Sequence, residues 1–230
     1  MGTENLQRTY KKINPLLTDP GELYLVVSIE TQELFVCANG TMVERYDAST
    51  SRFGNGNREN SLKTPLGVHR IKEKYGAGAP AGRVFRDRED TGEDWDHSRN
   101  GDNLILTRIL RLEGLEEGIN KGPGVDSYER YIYIHGTGRE DLIGTPLSHG
   151  CVCLRNHDMI RLFDRAKEDT VVYIDPPAIV IDERPCRSVH FTGIFGSGMS
   201  ALAQYLRFQG ITVSGSDRFH GCEDNATMRR

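Results

Sequence analysis

Residues Leu23–Ser49 read LYLVVSIETQELFVCANGTMVERYDAS, and this stretch decides the fold class. Leu23–Ile29, Glu33–Ala38 and Thr41–Ser49 are short runs of β-branched, aromatic and aliphatic residues, the composition of strands. Glu30-Thr31-Gln32 separates the first pair, and Asn39-Gly40 separates the second. Asn-Gly is the strongest short hairpin signal, because both residues tolerate the positive φ of a type I′ turn. Working outward, Gly67–Lys72, Leu104–Leu110, Tyr131–His135 and Thr170–Ile174 have the same character. Tyr75–Asn103, rich in Gly, Asp, Glu and Arg and containing Trp95, reads as a long loop, either functional or simply solvated. Asn156 is placed to cap a helix over His157–Lys167, whose Met159, Ile160, Leu162, Phe163 and Ala166 recur at helical spacing as core residues. Successive hairpins with one short helix predict a mainly β fold, an antiparallel sandwich or barrel.

The pattern changes class after Pro176-Pro177 and Pro185, which bound a stiff linker. Val189–Ile194 reads as a strand, Met199–Phe208 as a helix ended by Gly210, and Ile211–Ser214 as a second strand. This is a partial α/β, Rossmann-like βαβ segment. The expected organisation is a polar leader at 1–21, a β domain at 22–175, a linker at 176–187 and the βαβ segment at 188–230.

Composition narrows the classes. Among 230 residues, 29 Lys+Arg stand against 33 Asp+Glu, a net charge of −4, with 37% hydrophobic residues. That balance is ordinary for a globular chain and gives no general reason to expect nucleic acid as a partner. The longest apolar run near the start, Leu23–Ile29, is too short to span a bilayer. Met1–Leu17 has no apolar stretch of a secretory signal, so a cytoplasmic protein is expected. Five cysteines (Cys37, Cys151, Cys153, Cys186, Cys222) at irregular spacing make a poor disulfide framework, which fits a reducing compartment.

The chemistry concentrates in Tyr133-Ile134-His135-Gly136-Thr137-Gly138 and Ser148-His149-Gly150-Cys151-Val152-Cys153-Leu154-Arg155-Asn156. A cysteine nucleophile acts as its thiolate, which forms beside a basic histidine or a helix N-terminus. Cys151 is near both in sequence. Gly136 and Gly150 remove Cβ bulk where a substrate backbone would approach, and amides around Gly150 and Cys151 could hold an oxyanion. Two alternatives stay open. In an extended segment His149, Cys151 and Cys153 share a face, and with His135 they could form a four-ligand zinc site. The pocket could also bind peptides without turnover.

His135-Gly136-Thr137 followed by Ser148-His149-Gly150-Cys151, with Thr64-Pro65-Leu66-Gly67-Val68 upstream, resembles the L,D-transpeptidase catalytic domain family of peptidoglycan enzymes over about Glu22–Ile174. The resemblance implies a cysteine acyl-enzyme formed on peptidoglycan stem peptides or muropeptides, with no cofactor and no metal. The bond attacked joins the L-centre of the third residue to the following D-alanine. By matching position, Cys151 is the nucleophile and His135 its base, oriented by the Gly136 carbonyl. His149 and the Gly150 and Cys151 amides support the oxyanion. Arg155, Ser148 and Thr137 are candidate substrate contacts, Arg155 for a carboxylate, with a surface ion pair as its alternative role. Many members of the family carry Arg where this chain has Cys153. Without a signal sequence the accessible substrates are soluble, so hydrolysis (L,D-carboxypeptidase action in muropeptide recycling) is favoured over cross-linking.

In the tail, Gly193, Gly196 and Gly198 give a G-x-x-G-x-G order rather than the dinucleotide fingerprint, though it can still place N–H groups against a phosphate. Asp217 lies where a ribose-binding carboxylate would sit. From about Ser188 to Arg230 the chain resembles the opening of Mur ligases of the UDP-N-acetylmuramate–amino acid type, which implies a UDP-linked precursor as a possible partner. Phe195 stands where that family usually has a small residue, and no phosphate loop for ATP is present.

Overall fold

The computed structural model describes residues 3–96, 103–176, 180–181, 184–194, 197–208 and 211–216. The opening hairpins form as their sequence dictates. Strands β1 (Tyr24–Ser28), β2 (Glu33–Ala38) and β3 (Thr41–Ser49) pair antiparallel in chain order. Asn39 (φ 51°) and Gly40 (φ 72°) make the tight turn between β2 and β3. The leader contains more than a polar tail: α1 (Thr3–Ile13) lays Leu6 and Ile13 into a core with Tyr24, Val26, Phe35, Cys37, Val68, Val171 and Tyr173. Gln7 Nε2 donates to the Gly40 carbonyl at 2.8 Å, fixing the helix over the turn. Its apolar residues are too widely spaced among charges to announce a helix against Lys11, Lys12 and the following proline.

The remaining strands of this unit are β4 (Gly67–Tyr75), β5 (Arg83–Arg86), β6 (Glu89–Asp94), β7 (Ile105–Gly114), β8 (Tyr133–Gly136), β9 (Val152–Leu154) and β10 (Val171–Asp175). They hydrogen-bond in the order β4-β10-β1-β2-β3-β9-β8-β7-β5-β6, and an additional β4–β7 pairing closes the first eight into a ring. The sheet is mixed, not purely antiparallel as the hairpins suggest. β1 runs parallel to β10 and β8 parallel to β9. Parallel partners need long crossovers, which local hairpin patterns cannot reveal.

Part of the expected 75–103 loop is a hairpin. β5 and β6 turn through Asp87 (φ 48°) and Arg88 (φ 73°). It hides in the sequence because Arg occupies the turn position that usually carries Gly, and because Glu89–Asp94 is polar throughout. Helix α2 (Asn156–Arg165) buries Met159, Leu162 and Phe163. Arg155, in extended conformation, is its N-cap residue and no side chain caps it, so Asn156 opens the helix rather than capping it.

Residues 178–230 form a separate compact unit. Two-residue strands β11 (Val180–Ile181) and β12 (Arg184–Pro185) pair with each other. β13 (Ser188–Thr192), α3 (Ser197–Phe208) and β14 (Thr212–Ser216) make a βαβ with parallel strands around Phe191, Ile194 and Ala203.

Candidate active site

The site is built where β8 and β9 run side by side. Their register pairs His135 with Cys153 and Gly136 with Leu154. His135 is buried, and its Nδ1 lies 2.7 Å from the Gly136 carbonyl oxygen. A carbonyl only accepts, so Nδ1 carries the proton and Nε2 keeps its lone pair. Burial pulls the imidazole pKa down to about 4, against a weaker upward pull from that carbonyl. The sulfur facing Nε2, at 3.8 Å, belongs to Cys153, which is fully buried. Burial and the neighbouring Cys151 push the Cys153 thiol well up.

Cys151 lies half-buried at the entrance of β9. It packs on the cluster of Phe85, Ile109 and Tyr133, and its Sγ donates to the Tyr131 carbonyl at 3.6 Å. Burial pushes its pKa up to about 11, opposed by a backbone contact and the Arg130 guanidinium. Arg130 itself donates to the carbonyls of Asn57 (2.8 Å) and Lys63 (2.6 Å), tying the 57–63 loop to this side of the sheet.

The other expected residues take varied places. Gly136 is needed for packing: a Cβ there would lie 2.4 Å from Asn156 Oδ1 and 2.8 Å from the Leu106 carbonyl. Gly150 has φ 133°, and its N–H donates to Ser148 Oγ at 3.2 Å. Ser148 Oγ in turn donates to the Cys151 carbonyl at 2.5 Å, so this serine braces the loop that carries Cys151. Thr137 is buried and accepts the Arg139 N–H at 3.1 Å, a local turn contact. His149 Nε2 meets Arg52 Nη2 at 2.7 Å, and its ring packs against Phe53. Arg155 pairs with Asp47 at 2.7 Å. Among the described residues no group of three or more His, Cys, Asp or Glu is arranged to hold a metal ion. In the tail, Gly193 (φ 76°) donates its N–H to Ser216 O at 2.7 Å and Gly198 lies within α3. Gly196 and Asp217 lie outside the described residues.

Several residues of the site have no site role in the sequence reading, although Tyr133 and Asn156 stand within its motifs. Asn156 is buried and bridges three elements: Oδ1 accepts from Thr107 Oγ1 (2.6 Å), and Nδ2 donates to Thr137 O (3.0 Å) and Glu140 Oε1 (2.7 Å). Tyr131, Tyr133, Arg88 and Arg111 form a stack beside Cys151. Arg88 Nη1 donates to the Tyr133 hydroxyl at 3.1 Å, and Arg111 lies 3.4 Å over the Tyr128 ring. The Arg and Tyr density of 128–133 was the available signal.

Comparison with known proteins divides the chain at the same two regions. Residues 22–174 match the family described as L,D-transpeptidase catalytic domain, and residues 188–225 match Mur ligase family, catalytic domain. A UDP-N-acetylmuramate--L-alanine ligase of Bifidobacterium longum subsp. infantis is 40% identical over 60 residues, 24% of this chain and 12% of that protein. The enzyme of the same name from Methylobacillus flagellatus is 54% identical over 44 residues, 19% of this chain and 8% of its own length. The chain therefore spans a small fraction of these curated relatives. A solved L,D-transpeptidase from Mycobacterium smegmatis aligns at 14% identity with a TM-score of 0.40, over 67% of this chain and 58% of that one.

Proposed function

Because the chain belongs to the L,D-transpeptidase catalytic domain family, we propose that it is a cysteine acyltransferase acting on peptidoglycan stem peptides, with Cys151 as nucleophile and His135 as base. The observation carrying this reading is a buried imidazole whose tautomer is locked by the Gly136 carbonyl, on a strand adjoining β9, with the half-buried Cys151 thiol two residues before the Cys153 sulfur that the imidazole faces. Only an unprotonated ring nitrogen can take a proton from a thiol, and this tautomer leaves Nε2 unprotonated, on the side where Cys153 Sγ lies at 3.8 Å. Cys151, rather than the fully buried Cys153, is the sulfur a peptide carbonyl can reach.

The step forms an S–C bond between Cys151 and the carbonyl at the L-centre and breaks the C–N bond to the terminal D-alanine. The thiol proton passes through His135 to the departing amine. Water then attacks the thioester, returning the thiol and releasing a tripeptide. Hydrolysis is the favoured fate because the segment at 188–225 is similar to ligases named for UDP-N-acetylmuramate, a soluble donor. A tripeptide would be a natural feed for ligation chemistry of that kind. For the segment itself we propose a phosphate contact at the β13–α3 turn, through Gly193, Gly196 and Gly198 with Asp217 toward the ribose, checked by adding UDP to the whole chain and following amide shifts there.

Incubation with a disaccharide tetrapeptide, read by mass spectrometry, tests the reaction. Release of D-alanine with a tripeptide product is expected, abolished in Cys151→Ala. Cross-linked dimers without tripeptide would reject hydrolysis. Turnover that survives Cys151→Ala and is lost in Cys153→Ala would move the nucleophile to Cys153.

A further inference from the structure

The side of the sheet that carries Cys151 holds a guanidinium whose contacts are with tyrosines and not with an acid. Arg88 sits at the tip of the β5–β6 hairpin, at φ 73°, a conformation that glycine adopts freely and a long side chain does not. Backbone held in such a region in spite of its residue type is a pointer to function. The other arginines nearby are committed to carboxylates or to backbone carbonyls: Arg130 donates to the carbonyls of Asn57 and Lys63, and Arg108 to those of Ala79 and Thr107. Arg83 pairs with Asp90 and Asp94, Arg86 with Glu93, Arg111 with Glu73, and Arg155 with Asp47. Among the described residues no carboxylate lies within ion-pair distance of Arg88. Its contacts are the Tyr133 hydroxyl at 3.1 Å and the face of Tyr131, 5.4 Å from the ring centroid.

Both tyrosines lead directly to the thiol. The Tyr131 carbonyl accepts from Cys151 Sγ, and Cys151 packs on the cluster that contains Tyr133. The Tyr133 hydroxyl accepts from Arg88 and so keeps its own hydrogen to give. A half-buried guanidinium and a phenol on the nucleophile's side, with their donors uncommitted to any acid, form a receptor for an anion, and a planar carboxylate fits the guanidinium fork in bidentate fashion.

We propose that Arg88, with the Tyr133 hydroxyl, binds a carboxylate of the acyl-donor peptide and so sets specificity for substrates bearing a free acid near the scissile bond. This assignment rests on the reading of Cys151 as the nucleophile of a peptide acyl transfer. It places the carboxylate contact on the hairpin, while Arg155 is engaged with Asp47.

Two probes separate the proposal from the function on which it rests. The first is alkylation of Cys151 in the intact protein by iodoacetate and by iodoacetamide, the anionic and neutral forms of one reagent. The wild type should favour iodoacetate, relative to the ratio for free cysteine, by about tenfold, the effect of one charge-assisted contact. Arg88→Gln and Arg88→Gly should both lose that preference, with iodoacetamide rates within about twofold of wild type. The glycine variant relieves the turn and guards against a folding artefact. The second is turnover of a tetrapeptide substrate as free acid and as C-terminal amide, where Arg88→Gln should raise KM for the acid more than it lowers kcat. No iodoacetate preference in the wild type, or a preference that survives both variants, overturns the carboxylate site. A preference that is present and lost in the variants, in a protein that turns over no peptide, would uphold the anion site and reject the peptide reading.

Discussion

The protonation state of the resting thiol can be tested by the pH dependence of its alkylation. Burial drives Cys151 up to about 11 and holds His135 down at about 4. The two shifts point the same way: the resting pair is thiol and neutral imidazole, not thiolate and imidazolium. With a pKa of about 11 the thiolate fraction at pH 7 is on the order of 10⁻⁴, against roughly 0.03 for a free cysteine near 8.5. Reaction with iodoacetamide at pH 7 should then be slower than that of free cysteine by a factor of about 300 from ionisation alone. The rate should climb about tenfold per pH unit from 7 to 10, with no plateau below pH 9. Peptide mapping separates the Cys151 label from that on the partly exposed Cys186, and the fully buried Cys153 should be spared. A rate that is flat between pH 5 and 8, with an inflection at or below pH 6, would refute the reasoning, because it would show a preformed ion pair. If the steep profile is found, the base removes the proton while the substrate carbonyl is being attacked, not before.

Three further outcomes follow from the geometry. Gly136→Ala places a Cβ against Asn156 Oδ1 and the Leu106 carbonyl, and should lower stability by about 1–3 kcal/mol in urea unfolding, as overpacking does. Arg88→Gly relieves a left-handed non-glycine residue, worth about 1 kcal/mol, but loses the hydrogen bond to the Tyr133 hydroxyl, worth about the same, so Tm should stay within about 4 °C of wild type while iodoacetate preference is abolished. His69 and His135 are both buried, with pKa values lowered from 6.5 to about 4. The unfolded chain therefore binds their protons first, and stability is lost as pH falls through 6.5 toward 4. Between pH 7 and 5 the loss is roughly 2 kcal/mol per histidine, offset by about 1 kcal/mol from Asp175, which burial raises to about 6. Urea midpoints at the two pH values measure the net loss, and His69→Gln should flatten the slope.

What was legible in the sequence is what local patterns encode. β2 and β3 have the bounds their alternation predicts, and Asn39-Gly40 makes their turn. Met159, Leu162 and Phe163 face the core as their spacing requires. The parallel pairing of β1 with β10 joins residues 147 apart (Leu25 with Val172), for which no local signal exists. β9 is only three residues long, too short for any periodicity. At the site, His135 and Gly136 meet as the motif implies, but only the fold reveals that Nε2 faces Cys153 while Cys151 turns to the Tyr131 carbonyl. Both cysteines lie on one face of an extended segment, so strand alternation does not choose between them, and the choice of Cys151 rests on the resemblance of Ser148-His149-Gly150-Cys151.

The least legible part is also where the backbone departs most from its residues' preferences. Thr107 (φ 74°), Tyr131 (φ 54°) and Arg88 (φ 73°) are left-handed non-glycine residues, and a β-branched threonine in that region is a true outlier. All three border the site. Thr107 sits in an irregularity of β7, where Leu106 pairs with Gly136 and Ile109 with His135. It is held there by Asn156 Oδ1 and the Gly82 N–H. Bulges of this kind re-aim side chains beside active sites. Tyr131 presents its carbonyl to Cys151, and Arg88 closes over Tyr131. Each such residue costs on the order of 1–3 kcal/mol and persists only because its surroundings over-determine it. Asn156, with three partners from three elements, is the fixing point of that arrangement. The strain, the buried imidazole and the Arg88 guanidinium therefore belong to one construction, in which fold stability is spent to hold a thiol and an imidazole on neighbouring strands, with the guanidinium reaching Tyr133 from the hairpin turn.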